Sequence, residues 1–179
     1  NGGLADAQFF QGKDSILSGP AGGIVGAACT ARMAGFEQII TFDMGGTSTD
    51  VAHYNGEYER AFETQVAGVR MRAPMMHIHT VAAGGGSILH FDGARYRVGP
   101  DSAGSDPGPV CYGKGGTEPT VTDADLILGY LDADSFLGGA MHLDKSAAIE
   151  AIRSKLADPL GISVEEAAWG IHETVTGNM

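Results

Sequence analysis

Glycine constrains this chain more than any other residue type. Of the 28 glycines, 16 gather at Gly19–Gly26, Gly45–Gly46, Gly84–Gly86, Gly104–Gly116 and Gly138–Gly139, with no fixed period between the clusters. Aperiodic clusters exclude a collagen-like or solenoid repeat and mark turns and places where two backbones approach closely. Between them the chain must form short elements that fold back repeatedly. The coarse pattern predicts a helix over about 20–34 and strands over about 37–43, 50–54, 58–66 and 75–82. A hairpin follows, with Ile88-Leu89-His90-Phe91 and Ala94-Arg95-Tyr96-Arg97-Val98 joined by Asp92-Gly93, as Asn55-Gly56 joins the earlier pair. From about residue 123 the period becomes helical, predicting helices over about 123–131, 145–157 and 164–178. Thr122 with Asp125, and Ser163 with Glu166, have the spacing of a capping box. His172 falls on an apolar helix face and reads as a satisfied, partly buried histidine without a ligand role.

Charge and cysteine usage narrow the class. A formal net charge of −11 without a basic run argues against a nucleic-acid partner, whose phosphates need clustered cations. No apolar run approaches the ~20 residues that span a bilayer, and two distant cysteines, Cys29 and Cys111, form no disulfide framework. A cytoplasmic domain of 43% hydrophobic residues is expected, and the absence of an initial Met suggests a piece of a longer protein.

The stretch FDMGGTSTDV, Phe42 to Val51, carries the densest chemistry. The preceding Gln38-Ile39-Ile40-Thr41-Phe42 suits a buried strand and Val51-Ala52-His53-Tyr54 resumes one, so the stretch is the tip of a hairpin. Gly45 and Gly46 let backbone N–H groups approach an anion, and Thr47, Ser48 and Thr49 add hydroxyls to the same concavity. Asp43 can hold Mg2+ directly or through its waters, and Asp50 can orient a water or a ligand of that metal. A plain polar hairpin, with both aspartates accepting backbone hydrogen bonds, explains the spacing equally well.

FDMGGTSTDV resembles the second phosphate motif of the actin-like ATPase superfamily, and SGPAGGIVGAACTARMAG resembles the connecting helix before it. Taken in order, Asn1-Gly2-Gly3-Leu4, SGPAGG, FDMGGTSTDV, HTVAAGGGSI, VGPDSAGSDPGPVCYG and PTVTDADLILGYL closely resemble the hydantoinase A/5-oxoprolinase family, with acetone and acetophenone carboxylase subunits as relatives. The resemblance implies an α/β fold of the ribonuclease-H-like actin, chaperone and sugar-kinase type, with Asp43 and Asp50 catalytic and ATP and Mg2+ as cofactors. It implies phosphorylation and opening of a cyclic amide such as a hydantoin, N-methylhydantoin or 5-oxoproline. A hydantoinase B-type subunit or domain would be the partner. The alternatives are a ketone carboxylase subunit and a chaperone-like or filament-forming ATPase; a sugar kinase is a weaker one. On this resemblance the chain is a central fragment, without the earlier phosphate motif and the later adenine segment. Its segments are a connecting-helix region over 1–36, the phosphate motif and hairpins over 37–67, a substrate-side Gly/Pro-rich segment over 68–121 and a helical segment over 122–179.

That substrate-side segment supplies further candidates. His77 and His79 alternate along a predicted strand, which puts their side chains on one face about 7 Å apart. In the family it resembles, Asp-Xaa-His often stands at this place, so that His77 would replace the Asp and His79 is the firmer carry-over. Cys111 or Asp106 would be a third ligand for Zn2+ or another transition metal, while a half-exposed histidine pair without metal is the plainer alternative. Gly84, Gly85 and Gly86 are expected either to hold a phosphate or oxyanion through their N–H groups or simply to turn the chain into the next hairpin.

Overall fold

The computed structural model describes residues 6–66 and 69–179; Asn1-Gly2-Gly3-Leu4 lies outside the described residues. The chain divides into two compact units. The first comprises Asn1–Asp43 and Asp50–Thr80, and the second Met44–Thr49 and Val81–Met179. The chain therefore leaves the first unit at Asp43, contributes six residues to the second, and returns at Asp50.

In the first unit, a short turn of helix, α1 (Gly12–Ser15), precedes α2 (Ser18–Met33), whose buried residues Ala21, Ile24 and Ala28 recur at helical spacing. Small residues dominate α2, so the backbone itself comes close to what it packs on: Ala21, Ile24, Ala52 and Met76 form one buried cluster. The strands β1 (Ile39–Met44), β2 (Thr49–Tyr54) and β5 (His79–Val81) form a sheet in the order β1-β2-β5. β3 (Arg60–Val66) pairs antiparallel with β4 (Val69–Met76), with a bulge between Ala61 and Glu63.

Two expectations change here. β1 is an edge strand, and Ile40 and Phe42 are 74% and 57% exposed, not buried. The strand expected over 75–82 is two strands with different partners: Met75 and Met76 finish β4 against β3, whereas His79 begins β5 in the sheet with β2. The chain changes sheets at His77-Ile78, so alternation does not run through both histidines.

The second unit carries the larger core. A hairpin of β6 (Ser87–Phe91) and β7 (Tyr96–Ser102) forms as expected, but its connection runs over the four residues 92–95 and not over Asp92-Gly93 alone; Gly93 takes a φ of 93°. Its Leu89 and Val98 pack with α3 (Val121–Leu128), α4 (Lys145–Ile152) and α6 (Val164–Asn178). Ala124, Ala148, Ala167 and Ala168 are fully buried, which lets the three helices approach closely. The expected helix over 145–157 is α-helical to Ile152 and then widens into a π turn, Arg153–Ala157, before the short α5 (Asp158–Leu160). α6 starts with the expected capping box, Ser163 with Glu166.

α3 starts two residues earlier than expected. Its capping box is Thr120 with Asp123, not Thr122 with Asp125. Both pairs satisfy the same spacing, and tertiary structure chooses between them. Asp123 is fully buried and accepts from the N–H and hydroxyl of Thr120 and from the N–H groups of Val110 and Cys111. Four donors around one carboxylate satisfy a charge that would otherwise be costly to bury. Among the described residues, no helix is long and apolar enough to cross a membrane.

Candidate functional site

Within the second unit, the Gly45–Thr49 loop lies directly on Gly84–Gly86. The loop is closed by Gly45 N–H donating to Ser48 O at 2.8 Å. Gly85 and Gly86 N–H donate to Gly45 O and Gly46 O at 3.0 and 2.6 Å, so two glycine backbones pair face to face. A Cβ on Gly84 would stand 2.6 Å from Gly45 O and 2.8 Å from Thr47 N; one on Gly86 would stand 2.8 Å from Gly46 O. Only glycine permits this approach. Thr122, in the first turn of α3, fixes the other side: its N–H and its hydroxyl both donate to Gly85 O, each at 2.8 Å.

This geometry overturns one candidate role. The N–H of Gly84 donates to Ser87 Oγ at 2.9 Å, and those of Gly85 and Gly86 are taken by the loop carbonyls. All three amides are spent, so Gly84, Gly85 and Gly86 form a packing seam and not an oxyanion cradle. Thr49 is corrected likewise. It is fully buried and its hydroxyl donates to Ala83 O at 2.7 Å, which makes it an anchor for the loop.

The rest of the loop is different. Gly45, Gly46 and Thr47 are exposed and Ser48 is half-buried. Among the described residues, the N–H groups of Gly46, Thr47 and Ser48 and the hydroxyls of Thr47 and Ser48 have no hydrogen-bond partner. A Cβ on Gly46 would meet nothing within 4 Å. The tip thus presents unspent donors and open space.

In the first unit, Asp43 and Asp50 line one cleft of ≈ 370 Å3 together with Gly23, Ile24, Thr41 and Ile78. Asp43 is exposed, and its carboxylate has no hydrogen-bond or ion-pair partner among the described residues. Asp50 accepts from the Thr80 hydroxyl at 2.6 Å, a contact the sequence did not signal. One free carboxylate and one oriented carboxylate in the same cleft suit a hard, hydrated cation.

The transition-metal candidates fare differently. Cys111 is fully buried in the core of the second unit and its N–H bonds Asp123 Oδ1 at 2.8 Å. Burial, reinforced by the Asp123 charge, pushes its thiol well above the usual range, so the thiolate that zinc requires is disfavoured. As a ligand Cys111 is therefore a correction: it is a core residue. His77 is engaged elsewhere. Its Nδ1 lies 3.4 Å from Glu59 Oε2, while His53 Nδ1 lies 2.8 Å from Glu59 Oε1. Hydrogen bonds from His53 and then His77 hold the Glu59 carboxyl below its ordinary range. His79 on β5 and Asp106 are exposed. Among the described residues no group of three or more His, Cys, Asp or Glu is arranged to hold a metal ion.

Comparison with known proteins places the chain. It matches the hydantoinase/oxoprolinase family over residues 1–179. Caprolactamase subunit alpha of Pseudomonas jessenii is 49% identical over all of this chain and 26% of its own length. A chain in the crystal structure of the ATP-dependent caprolactamase from that organism superposes with a TM-score of 0.77, at 48% identity over 90% of this chain and 24% of that one. 5-oxoprolinase 1 of Arabidopsis thaliana is 49% identical over 95% of this chain and 15% of its own. The nucleotide-free structure of an acetone carboxylase, described for ATP-dependent acetone carboxylation, superposes with a TM-score of 0.84 at 39% identity, over 92% of this chain and 24% of that one. The chain spans about a quarter or less of the length of these relatives. Its mixed α/β structure is the one those enzymes contain, and with the family matched from the first residue to the last, the chain belongs to the hydantoinase/oxoprolinase family.

Proposed function

We propose that this chain supplies a phosphate-binding part of an ATP-dependent enzyme that opens a cyclic amide, in an actin-like, ribonuclease-H-like ATPase fold. The observation that carries the reading is the exposed Gly45–Ser48 tip, whose unspent N–H and hydroxyl donors suit an anion and whose flanks in sequence are Asp43 and Asp50. Donors without carboxylates would hold any anion; carboxylates next to them in sequence favour a phosphate that arrives with a cation. Asp43 is the residue that would hold Mg2+, which supplies charge neutralisation for the transferring phosphoryl group. Asp50, oriented by Thr80, holds a water of that ion or the attacking nucleophile. Gly46, Thr47 and Ser48 then bind and align the phosphates, and Thr49 and Gly84–Gly86 keep the loop in place.

Transfer of the γ-phosphoryl group of ATP to the amide oxygen, with ADP leaving, activates the carbonyl carbon to water. The ring C–N bond of the adduct then breaks as the nitrogen is protonated, and a second water hydrolyses the resulting acyl phosphate to the open acid and phosphate. The caprolactamase and 5-oxoprolinase relatives support this class, and a 5-oxoproline-type or larger lactam is the substrate. The acetone carboxylase superposition favours a second reading, ATP-dependent carboxylation of a ketone, in which the same loop serves a phosphorylated enolate. In either case the enzyme works with a second, B-type subunit or domain and acts in the cytoplasm. Asp43→Asn in the enzyme that carries this chain tests the reading. Turnover should fall by about 100-fold or more with the melting temperature nearly unchanged. Normal turnover with an unaltered Mg2+ requirement would refute it.

A further inference from the structure

Two helices of the second unit reach the loop from different sides. α3 reaches it through Thr122, which holds Gly85 O, and Gly85 N–H in turn holds Gly45 O at 3.0 Å. At the other end of the loop, Thr49 Oγ1 lies 3.8 Å from Met179 Sδ, just beyond α6. One side-chain pair ties the helices together: His172 Nδ1 on α6 and Asp125 Oδ1 on α3, 3.1 Å apart and 28% and 22% exposed. Asp125 stands about one helical turn after Thr122 and His172 about two turns before Met179. The imidazole is also held in plane, stacked on Tyr130 at 4.8 Å and on Trp169 at 5.7 Å between ring centroids. Neither residue reaches the loop itself, and phosphate chemistry has no use for them where they stand. Their position at the joint of the two helices is what calls for a role.

We propose that Asp125 and His172 form a positioning pair that sets the register of the Gly45–Thr49 loop, Asp125 acting through Thr122 and Gly85, and His172 through Met179. The inference rests on the phosphate role of the loop but can fail separately from it. Breaking the pair lets α3 and α6 shift against each other, and the loop ends, clasped by different helices, shift with them. Burial raises the Asp125 carboxyl while the hydrogen bond from His172 opposes that rise.

Hydrogen exchange at the Gly85 and Gly86 amides, measured in the enzyme that carries this chain, tests the proposal. Wild type is compared with His172→Leu and with Leu156→Ala, which weakens the same core at a residue outside the His172–Asp125 pair. His172→Leu should lower protection of both amides about tenfold and weaken ATP binding several-fold, whereas Leu156→Ala should leave local protection and ATP affinity as they are. His172→Gln, whose amide N–H can donate to Asp125, should restore most of both. Should His172→Leu fail to fold, Asp125→Ala, which leaves His172 without its acceptor, carries the same comparison. Equal loss in the His172 and Leu156 variants, or protection unchanged in both, overturns the proposal. Selective loss of protection without any ATP effect supports the positioning pair and counts against the phosphate reading instead.

Discussion

Gly45–Gly46 and Gly84–Gly86 read alike in the sequence and do opposite work in the structure. The first pair caps an exposed tip with unspent donors, and a side chain at Gly46 would meet nothing within 4 Å. The second run is pressed against that tip, with its three N–H groups donating and no room for a Cβ. Glycine is needed at Gly84–Gly86 by the fold, whereas at Gly46 the fold makes no such demand. The lesson is that a glycine-rich loop becomes an anion site only where its amides are left over after the fold has used its share.

Substitutions that separate fold from function sharpen this contrast, and the largest effect belongs to the seam. Gly84→Ala forces a methyl group against backbone atoms of Gly45, Gly46 and Thr47, which cannot move aside as a side-chain tip could. It should cost about 3 kcal/mol or more and lower the melting temperature accordingly. A thermal melt equal to wild type would show that the two backbones are not packed as described. Next comes Thr49→Val, which keeps the shape but leaves Ala83 O without its donor. About 1–2 kcal/mol should be lost in chemical denaturation. Smallest in stability is Thr47→Ala, two residues away and exposed. It should stay within about 0.5 kcal/mol of wild type while weakening nucleotide binding, so a Thr47 effect as large as that of Thr49 would erase the distinction between tip and anchor.

The two cysteines offer a parallel comparison without mutation. Cys29 is exposed and Cys111 is buried with a raised thiol pKa, so a soluble alkylating reagent should label only Cys29 in the native protein. Comparable labelling rates would contradict the burial of Cys111.

Much of the fold was legible because local signals were strong. The turns at Asn55-Gly56 and Asp92-Gly93, the helical period of the last third and the Ser163–Glu166 box follow from chemistry within a few residues of chain. The strands flanking Asn55-Gly56, however, meet only at the Tyr54–Tyr58 bridge among the described residues and pair in different sheets. What misled was settled at long range. Thr120-Asp123 and Thr122-Asp125 match the capping pattern equally, and the Val110 and Cys111 amides, ten or more residues away, decide for the first. Continuous β-propensity through Met75–Ala82 hides the change of sheet at His77, because propensity does not say which partner a strand has. At the site, the residue types of the tip were evident, but whether an amide is free or spent depends on its partner. Gly84–Gly86 and Thr49 therefore looked like binding residues until Gly45, Gly46 and Ala83 were seen to occupy them. Thr122 and Thr80, which brace the loop and Asp50, carried no distinguishing signal, since a threonine that caps and one that anchors look the same in sequence.

The central claim, that the tip binds phosphate with amides the fold does not need, is tested most directly by Gly46→Val in the enzyme that carries this chain. ATP affinity is measured by calorimetry alongside the melting temperature. The structure leaves room for the side chain on the protein side, so the variant should melt within a few degrees of wild type and lose ATP binding by at least about 100-fold. Wild-type ATP affinity in a folded Gly46→Val enzyme would contradict the account and place the phosphates elsewhere.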